Sequence, residues 1–248
     1  MVTEISSSVE LILGRAGFNI IRRINASRYD AEVPPERRTG RITKNARTVL
    51  LAGFAGKEFW AVLNDFIKDN PEFYGSTEDI IDDYTVLQFK KVGELLYSSG
   101  VEFETVFPFG PSYMALDFVK LGALGGVGVP SLLGVLINPV YGPWISLRGA
   151  ILTDIELDAY DAPLDDFDPC PACSKPCIDA CPAKTISHEG WDYRACLDYR
   201  HNSEDCGSSC ASRRACPYGA EHQYGEQQLT HHQGFALQSY RRYTGLGK

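Results

Sequence analysis

The sequence predicts an α+β domain followed by a smaller, cysteine-bearing module. Three observations predict it. Ahead of residue 160, segments with helical spacing of apolar residues alternate with short β-rich runs. All eight cysteines lie between Cys170 and Cys216, and all five histidines lie after residue 187. Between the two compositions sits "AYDAPLDDFDP" (159–169), an acidic stretch with two prolines that reads as a linker. The domains are accordingly placed at 1–160 and 161–248.

In chain order, "SVELILGRAGF" (8–18) predicts a short amphipathic helix stopped by Gly17. The apolar run "TVLLAGF" (48–54) predicts a buried strand. In "KEFWAVLNDFIKDN" (57–70), Phe59, Trp60, Leu63, Phe66 and Ile67 share one helical face, and Pro71 ends the helix. This stripe reads as core packing. The stretch 76–100 opens with a capping-box-like Ser76/Asp79 pair, and Gly100 closes the helix it predicts. "VEFETVF" (101–107) alternates as a half-buried strand does. "SLLGVLI" and "WISLRGAILTDIEL" flank the turn "NPVYGP" (138–143), which predicts a hairpin between them. The glycines at 122, 125, 126 and 128 lack the strand, helix and later acidic residue of a dinucleotide loop; close backbone approach to a large ligand suits them better.

The 248 residues carry 44% hydrophobic and 23% charged residues, ordinary for a globular chain with a sizeable core. A net charge of −8 argues against a general nucleic-acid binder, so no nucleic-acid duplex is expected among the partners. "MVTEISSSVELIL" has no basic leader, and five glycines and a proline interrupt the apolar stretch 121–137, so neither export nor a membrane span is expected. The expected location is cytoplasmic. There, clustered cysteines point to metal or redox chemistry rather than disulfides.

Cys170, Cys173, Cys177 and Cys181-Pro182 follow C-x2-C-x3-C-x3-C-P, the bacterial ferredoxin run with one residue added within Ser174-Lys175-Pro176. A second group, Cys196, Cys206, Cys210 and Cys216-Pro217, also ends in Cys-Pro. In two-cluster ferredoxins the fourth cysteine ligates the other cluster. By that rule, rather than by spacing alone, Cys170, Cys173, Cys177 and Cys216 form one ligand set, and Cys181, Cys196, Cys206 and Cys210 the other. Each would hold a [4Fe–4S] cluster. Two zinc sites satisfy the same count, but zinc thiolates usually come as separated C-x2-4-C knuckles. His222, His231 and His232 read as solvated tail residues.

The stretch 128–186 resembles two corrinoid-dependent families, the epoxyqueuosine reductases and the reductive dehalogenases. Both place a glycine-rich turn, a "YG-x-x-x-x-L" strand and a "TD-x-x-L" segment before a two-cluster ferredoxin module. Here these are Tyr141-Gly142, Leu147, Thr153-Asp154 and Leu157. The first domain also resembles the CblC-type cobalamin-processing protein, through "GFNI" (17–20), "RYDAEVPPE" (28–36) and "GVLINPVYGPWISLRGAIL" (134–152). On that resemblance Gly134, Val135, Pro139, Gly142, Trp144, Arg148 and Gly149 match a corrinoid-domain motif. Gly134, Pro139, Gly142, Trp144 and Arg148 are the cofactor-binding residues it implies.

The resemblance implies a nitroreductase-like, corrinoid-binding domain followed by a small two-cluster ferredoxin-like domain. It implies an iron–sulfur oxidoreductase passing electrons through two [4Fe–4S] clusters to cobalamin. Cobalamin would itself be reduced or dealkylated, or would act on a small-molecule substrate. An electron-donor protein is an implied partner, and nitroreductase-like domains often dimerise, so a homodimer is compatible. The sequence departs from epoxyqueuosine reductases at their acidic proton donor, which aligns with Pro108, and at Gly128-Val129, where they have Gly-Lys. Tyr113, Asp117 and Tyr141 are the remaining candidate proton donors. The alternative is a ferredoxin-type electron carrier whose first domain docks a protein partner.

Overall fold

A computed structural model of the chain describes residues 2–75, 78–112, 114–156 and 159–244. It divides into two compact units: residues 1–128 with 145–165, and residues 129–144 with 166–248.

The first unit begins with α1 (Val2–Arg15), β1 (Ile20–Asn25) and α2 (Ala26–Ala31). There follow β2 (Thr48–Ala55), α3 (Glu58–Asp69), α4 (Pro71–Gly75), α5 (Ile80–Ser98), β3 (Phe103–Val106) and α6 (Phe118–Leu124). The chain then leaves for the short strands β4 (Val129–Pro130) and β5 (Leu136–Ile137) of the second unit, and returns as β6 (Ile145–Thr153). The antiparallel sheet runs β1-β2-β6-β3. β2 lies inside it and buries all eight of its residues, as an uninterrupted apolar run demands. The register slips between Ala52 and Gly53, where a Cβ on Gly53 would run into the backbone of Ser146.

Phe18, Phe54, Phe59 and Phe89 are fully buried and form the centre of this core; Phe54 and Phe59 stack 3.9 Å apart. Of the α3 stripe, Phe59 and Leu63 are buried, while Trp60, Phe66 and Ile67 are half-buried. Gly17 takes φ +87° at the end of α1, and Gly100 takes φ +71° after α5, as helix stops require. The cap of α5 is Asp79 itself, whose carboxylate accepts from the N–H groups of Ile81 and Asp82; Ser76 lies outside the described residues.

Two expectations are corrected. β5 and β6 do not form a hairpin: β5 pairs with β4, whereas β6 pairs with β2 and β3. The turn closes on itself instead, through an Asn138–Gly142 bridge and Asn138 Oδ1, which accepts from the N–H groups of Val140 and Tyr141. The linker, likewise, is no simple boundary at 160/161. Asp161 exchanges bonds with the outer edge of β1: its N–H donates to the Arg23 carbonyl at 2.9 Å and its carboxylate accepts from the Arg23 N–H at 2.8 Å. Residues 161–165 thus belong to the first unit, and 129–144 belong with the cysteines.

The second unit continues through α7 (Pro176–Asp179), β7 (Ile186–Ser187), β8 (Gly190–Trp191), α8 (Tyr193–Asn202), α9 (Ala211–Arg214) and α10 (Glu226–Thr244). Its layout repeats. α7 and α9 are both four-residue helices, and each is followed two residues later by a Cys-Pro pair. The α10 helix is anchored on this unit by buried Gln228 and Leu229, and the Arg200 guanidinium of α8 donates to the Gln233 carbonyl. Among the described residues no helix is long and apolar enough to cross a membrane.

Candidate functional site

None of the eight cysteines forms a disulfide. Cys181, Cys206 and Cys216 are buried and the other five half-buried. A small apolar cavity is lined by Cys170, Cys173, Cys177 and Cys216, closed by Leu133 and Ile137 among others. Cys216 comes from the far end of the module; Cys181, nearer in sequence, does not line it. The electrostatics fall along the same division. The Cys216 thiol is pushed up by burial and then by Cys177, Cys170 and Cys173. Cys177 is raised by burial, then by Cys170 and Cys173. Cys206 is raised by burial, then by Cys210 and Cys196, with Arg200 opposing and Cys181 adding. Cys181 differs. Burial alone would raise it, but hydrogen bonds from Thr185, Ser212 and Ile186 outweigh burial and hold the thiol below its ordinary range.

Among the described residues, no group of three or more His, Cys, Asp or Glu side chains closes on a point as the ligands of one ion would. A four-iron cube asks something else, one thiolate at each of four corners around an apolar space, and the donor set suits it. The added residue in the first run is absorbed locally. Lys175 adopts the left-handed conformation (φ +57°) before α7, and its N–H donates to Cys173 Sγ at 3.3 Å.

The residues between Gly134 and Trp144 buttress this module. Gly142 has φ +55° and Gly219 φ +64°; a Cβ on the first would run into Tyr218, and one on the second into Tyr141. Two glycines therefore let the turn press its backbone against the chain leaving Cys216-Pro217. Arg213 of α9 donates to the Pro143 carbonyl at 3.1 and 2.6 Å. Its guanidinium lies over the rings of Trp144 and Tyr224, at 4.8 and 5.0 Å. Gly134, at φ +72°, makes room for the Trp191 ring.

The residues that the resemblance implies for a cofactor divide between the two units. Trp144 is wholly buried and Gly142 is buried, while Gly134 and Pro139 are exposed; a Cβ on Gly134 would meet the Trp191 ring and one on Gly142 the Tyr218 backbone. Arg148 stands in the other unit, on β6, where it pairs with Asp82 and lies 5.0 Å from the Phe109 ring centre. Burial raises the Asp82 carboxyl to about 6, against the opposing pull of Arg148, with Asp79 adding to the rise.

The candidate proton donors stand in different surroundings. Asp117 caps α6 by accepting from the Lys120 N–H at 2.9 Å, and its other oxygen pairs with Arg37 at 3.0 Å. Its N–H donates to the hydroxyl of buried Tyr29. Both of its carboxylate oxygens thus have partners within the fold. Tyr141 is half-buried, with its ring 4.7 Å from that of His222. Tyr113 lies outside the described residues. His222 and His232 are half-buried against Tyr141 and Tyr224, not solvated, because aromatic neighbours cover them. Sequence reading missed Thr185, Arg200, Ser212 and Arg213. Their nearness to the cysteines in sequence was the available signal.

No protein-family model matches the chain. A curated epoxyqueuosine reductase of Lactococcus garvieae (strain Lg2) is 32% identical over 87 residues, 35% of this chain and 23% of that protein. The match thus spans under a quarter of the relative's length. Among solved structures, an epoxyqueuosine reductase with an epoxyqueuosine-modified tRNA-Tyr stem loop aligns with TM-score 0.61 at 14% identity, covering 93% of this chain and 69% of that one. The B12-trafficking protein CblC of C. elegans aligns with TM-score 0.59 at 11% identity, covering 92% and 91%. The catabolic reductive dehalogenase NpRdhA, in complex with 3-bromo-4-hydroxybenzoic acid, aligns with TM-score 0.56 at 15% identity, covering 95% and 36%.

The chain has the nitroreductase-like fold these proteins share. The family resemblance read from the sequence holds in three dimensions. The exclusion of nucleic acid does not. A protein of this fold is solved with a tRNA stem loop, so net charge was the wrong criterion. Charge acts locally: residues 37–47 carry Arg37, Arg38, Arg41, Lys44 and Arg47 without one acidic residue, inside a chain of net charge −8.

Proposed function

We propose that this chain is an iron–sulfur oxidoreductase whose second unit holds two [4Fe–4S] clusters. One would sit on Cys170, Cys173, Cys177 and Cys216, the other on Cys181, Cys196, Cys206 and Cys210. The observation that carries the reading is the apolar cavity that Cys216 shares with the three thiols of the first run. Such clusters supply low-potential one-electron storage. The protein's part is to hold the thiols together, give hydrogen bonds to their sulfurs and keep them dry. Backbone N–H groups of Lys175 and Thr185 point at Cys173 and Cys181, and Leu133 and Ile137 exclude water from the first set.

A corrinoid as electron acceptor, reduced or dealkylated itself or acting on a small substrate, is supported by the likeness to a B12-trafficking protein. Trp144 is wholly buried and a Cβ on Gly142 would meet Tyr218, so the support rests on the fold likeness rather than on those two positions. A second reading, an electron carrier that docks a protein through its first unit, is favoured by an apolar groove along α5 and the edge strand β3. Val86, Phe89, Tyr97, Phe103 and Phe107 line it.

The test is anaerobic purification and reconstitution with iron and sulfide. About eight irons per chain are expected, falling to about half in both Cys173→Ala and Cys206→Ala. Zinc in place of iron and sulfide would overturn the reading. The loaded protein is then offered hydroxocobalamin and an epoxyqueuosine-modified stem loop. A changed corrin spectrum supports the corrinoid acceptor, turnover of the stem loop supports a nucleic-acid substrate, and neither leaves the electron carrier.

A further inference from the structure

The two thiol sets are solvated by different chemistry. In the first, the donors are backbone amides: Lys175 to Cys173 at 3.3 Å, Ile178 to Cys177 and Tyr218 to Cys216. In the second, hydroxyl groups join them. Cys181 Sγ lies 3.5 Å from Thr185 Oγ1 and 3.4 Å from the Thr185 N–H, and the Ser212 hydroxyl also reaches it. A ligating thiolate carries no proton, so both hydroxyls must donate to it.

These groups are sealed from water. Ser212 is 1% exposed and Thr185 9%, so their dipoles act on the sulfur without solvent screening. A buried cation acts on the same thiol set. Arg200 is 8% exposed, and its charge opposes the rise of the Cys206 thiol; it donates to the Gln233 carbonyl, and among the described residues its Nε is buried with no hydrogen-bond partner. Hydrogen bonds to the sulfurs and nearby positive charge both favour the reduced, more negative state of an iron–sulfur centre.

Resting on the two-cluster reading above, we propose that Thr185, Ser212 and Arg200 set the cluster on Cys181, Cys196, Cys206 and Cys210 at the higher reduction potential of the two. An electron delivered by a low-potential one-electron donor would therefore come to rest there. In the transfer within the unit, the first cluster is oxidised by one electron and the second reduced by one, with no bond made or broken and no proton moved.

The test is a redox titration of the reconstituted full chain, followed by electron paramagnetic resonance. Two midpoints are expected, and Cys206→Ala should remove the upper one. Thr185→Val and Ser212→Ala should each lower the upper midpoint by a factor of about ten in the one-electron equilibrium, about 59 mV, and leave the lower one in place. Thr185→Ser, which keeps the hydroxyl, should restore it. An upper midpoint unmoved in both variants at full iron and sulfide content, or removal of the lower midpoint by Cys206→Ala, overturns the proposal. Should either variant lose its cluster, the other still decides. Protein that takes up no iron and sulfide would instead sink the underlying two-cluster reading.

Discussion

Strand β2 buries all eight of its residues inside a four-stranded sheet, around a core of four enclosed phenylalanines. The second unit has nothing comparable among its described residues. Its strands are two residues long, and α7 and α9 have four residues each. Helices of that length are not stable by themselves. The apolar cluster of this unit is small, and two of its five buried members, Cys181 and Cys216, are proposed ligands. The first unit thus holds itself together by burial, and on the two-cluster proposal the second would depend in addition on what binds its thiols. What the contrast teaches is where each unit should be sensitive: on the two-cluster proposal a lost ligand would loosen the second unit, while the first responds to packing and to charge.

The largest expected effect tests this directly. Stripping iron from the reconstituted protein with a chelator should make residues 166–225 rapidly exchanging and protease-sensitive, while β2 and β6 keep their amide protection. Equal protection of both units before and after stripping would erase the distinction. Next in size is Gly142→Ala, which adds a left-handed penalty and a clash with Tyr218, on the order of 3 kcal/mol. Its expected signature is loss of about half the iron with an unchanged first-unit melting transition. Full iron retention would mean that the turn does not support Cys216.

The smallest effect belongs to the first unit. The Asp82 carboxyl is raised in the folded chain to about 6, above its unfolded value, by burial. The sign follows: the folded state holds the proton more tightly, so this contribution is fully present below the unfolded value near 3.8 and is lost as pH rises through about 6. Asp82→Asn should therefore flatten the fall in first-unit stability across that window, by no more than about 3 kcal/mol at pH 7. A variant less stable than the parent at pH 7 would show that pairing with Arg148 outweighs burial.

Much of this architecture was legible along the chain, wherever the physical cause is local. The apolar run of β2, the spacing in α3, the glycine stops at Gly17 and Gly100 and the ferredoxin-like cysteine run each depend on neighbours a few residues away. β1 escaped notice because Arg22 and Arg23 interrupt its apolar pattern; an edge strand tolerates them, since one side faces no other strand. The hairpin expected around Asn138–Pro143 failed because strand pairing is a long-range choice, and β6 gains far more by lying between β2 and β3 than beside a two-residue strand. The same holds for the motif residues. Resemblance could mark Gly134, Gly142 and Trp144 as special, but only the tertiary structure decided that they serve the cysteine-bearing unit: Gly142 receives the chain beyond Cys216, and Trp144 stacks under Arg213. Sequence by itself determined how many thiols there are and how closely they are strung. Which of them share a space was decided by packing, because Cys170 and Cys216 are brought to one cavity by contacts made among residues distant in the chain.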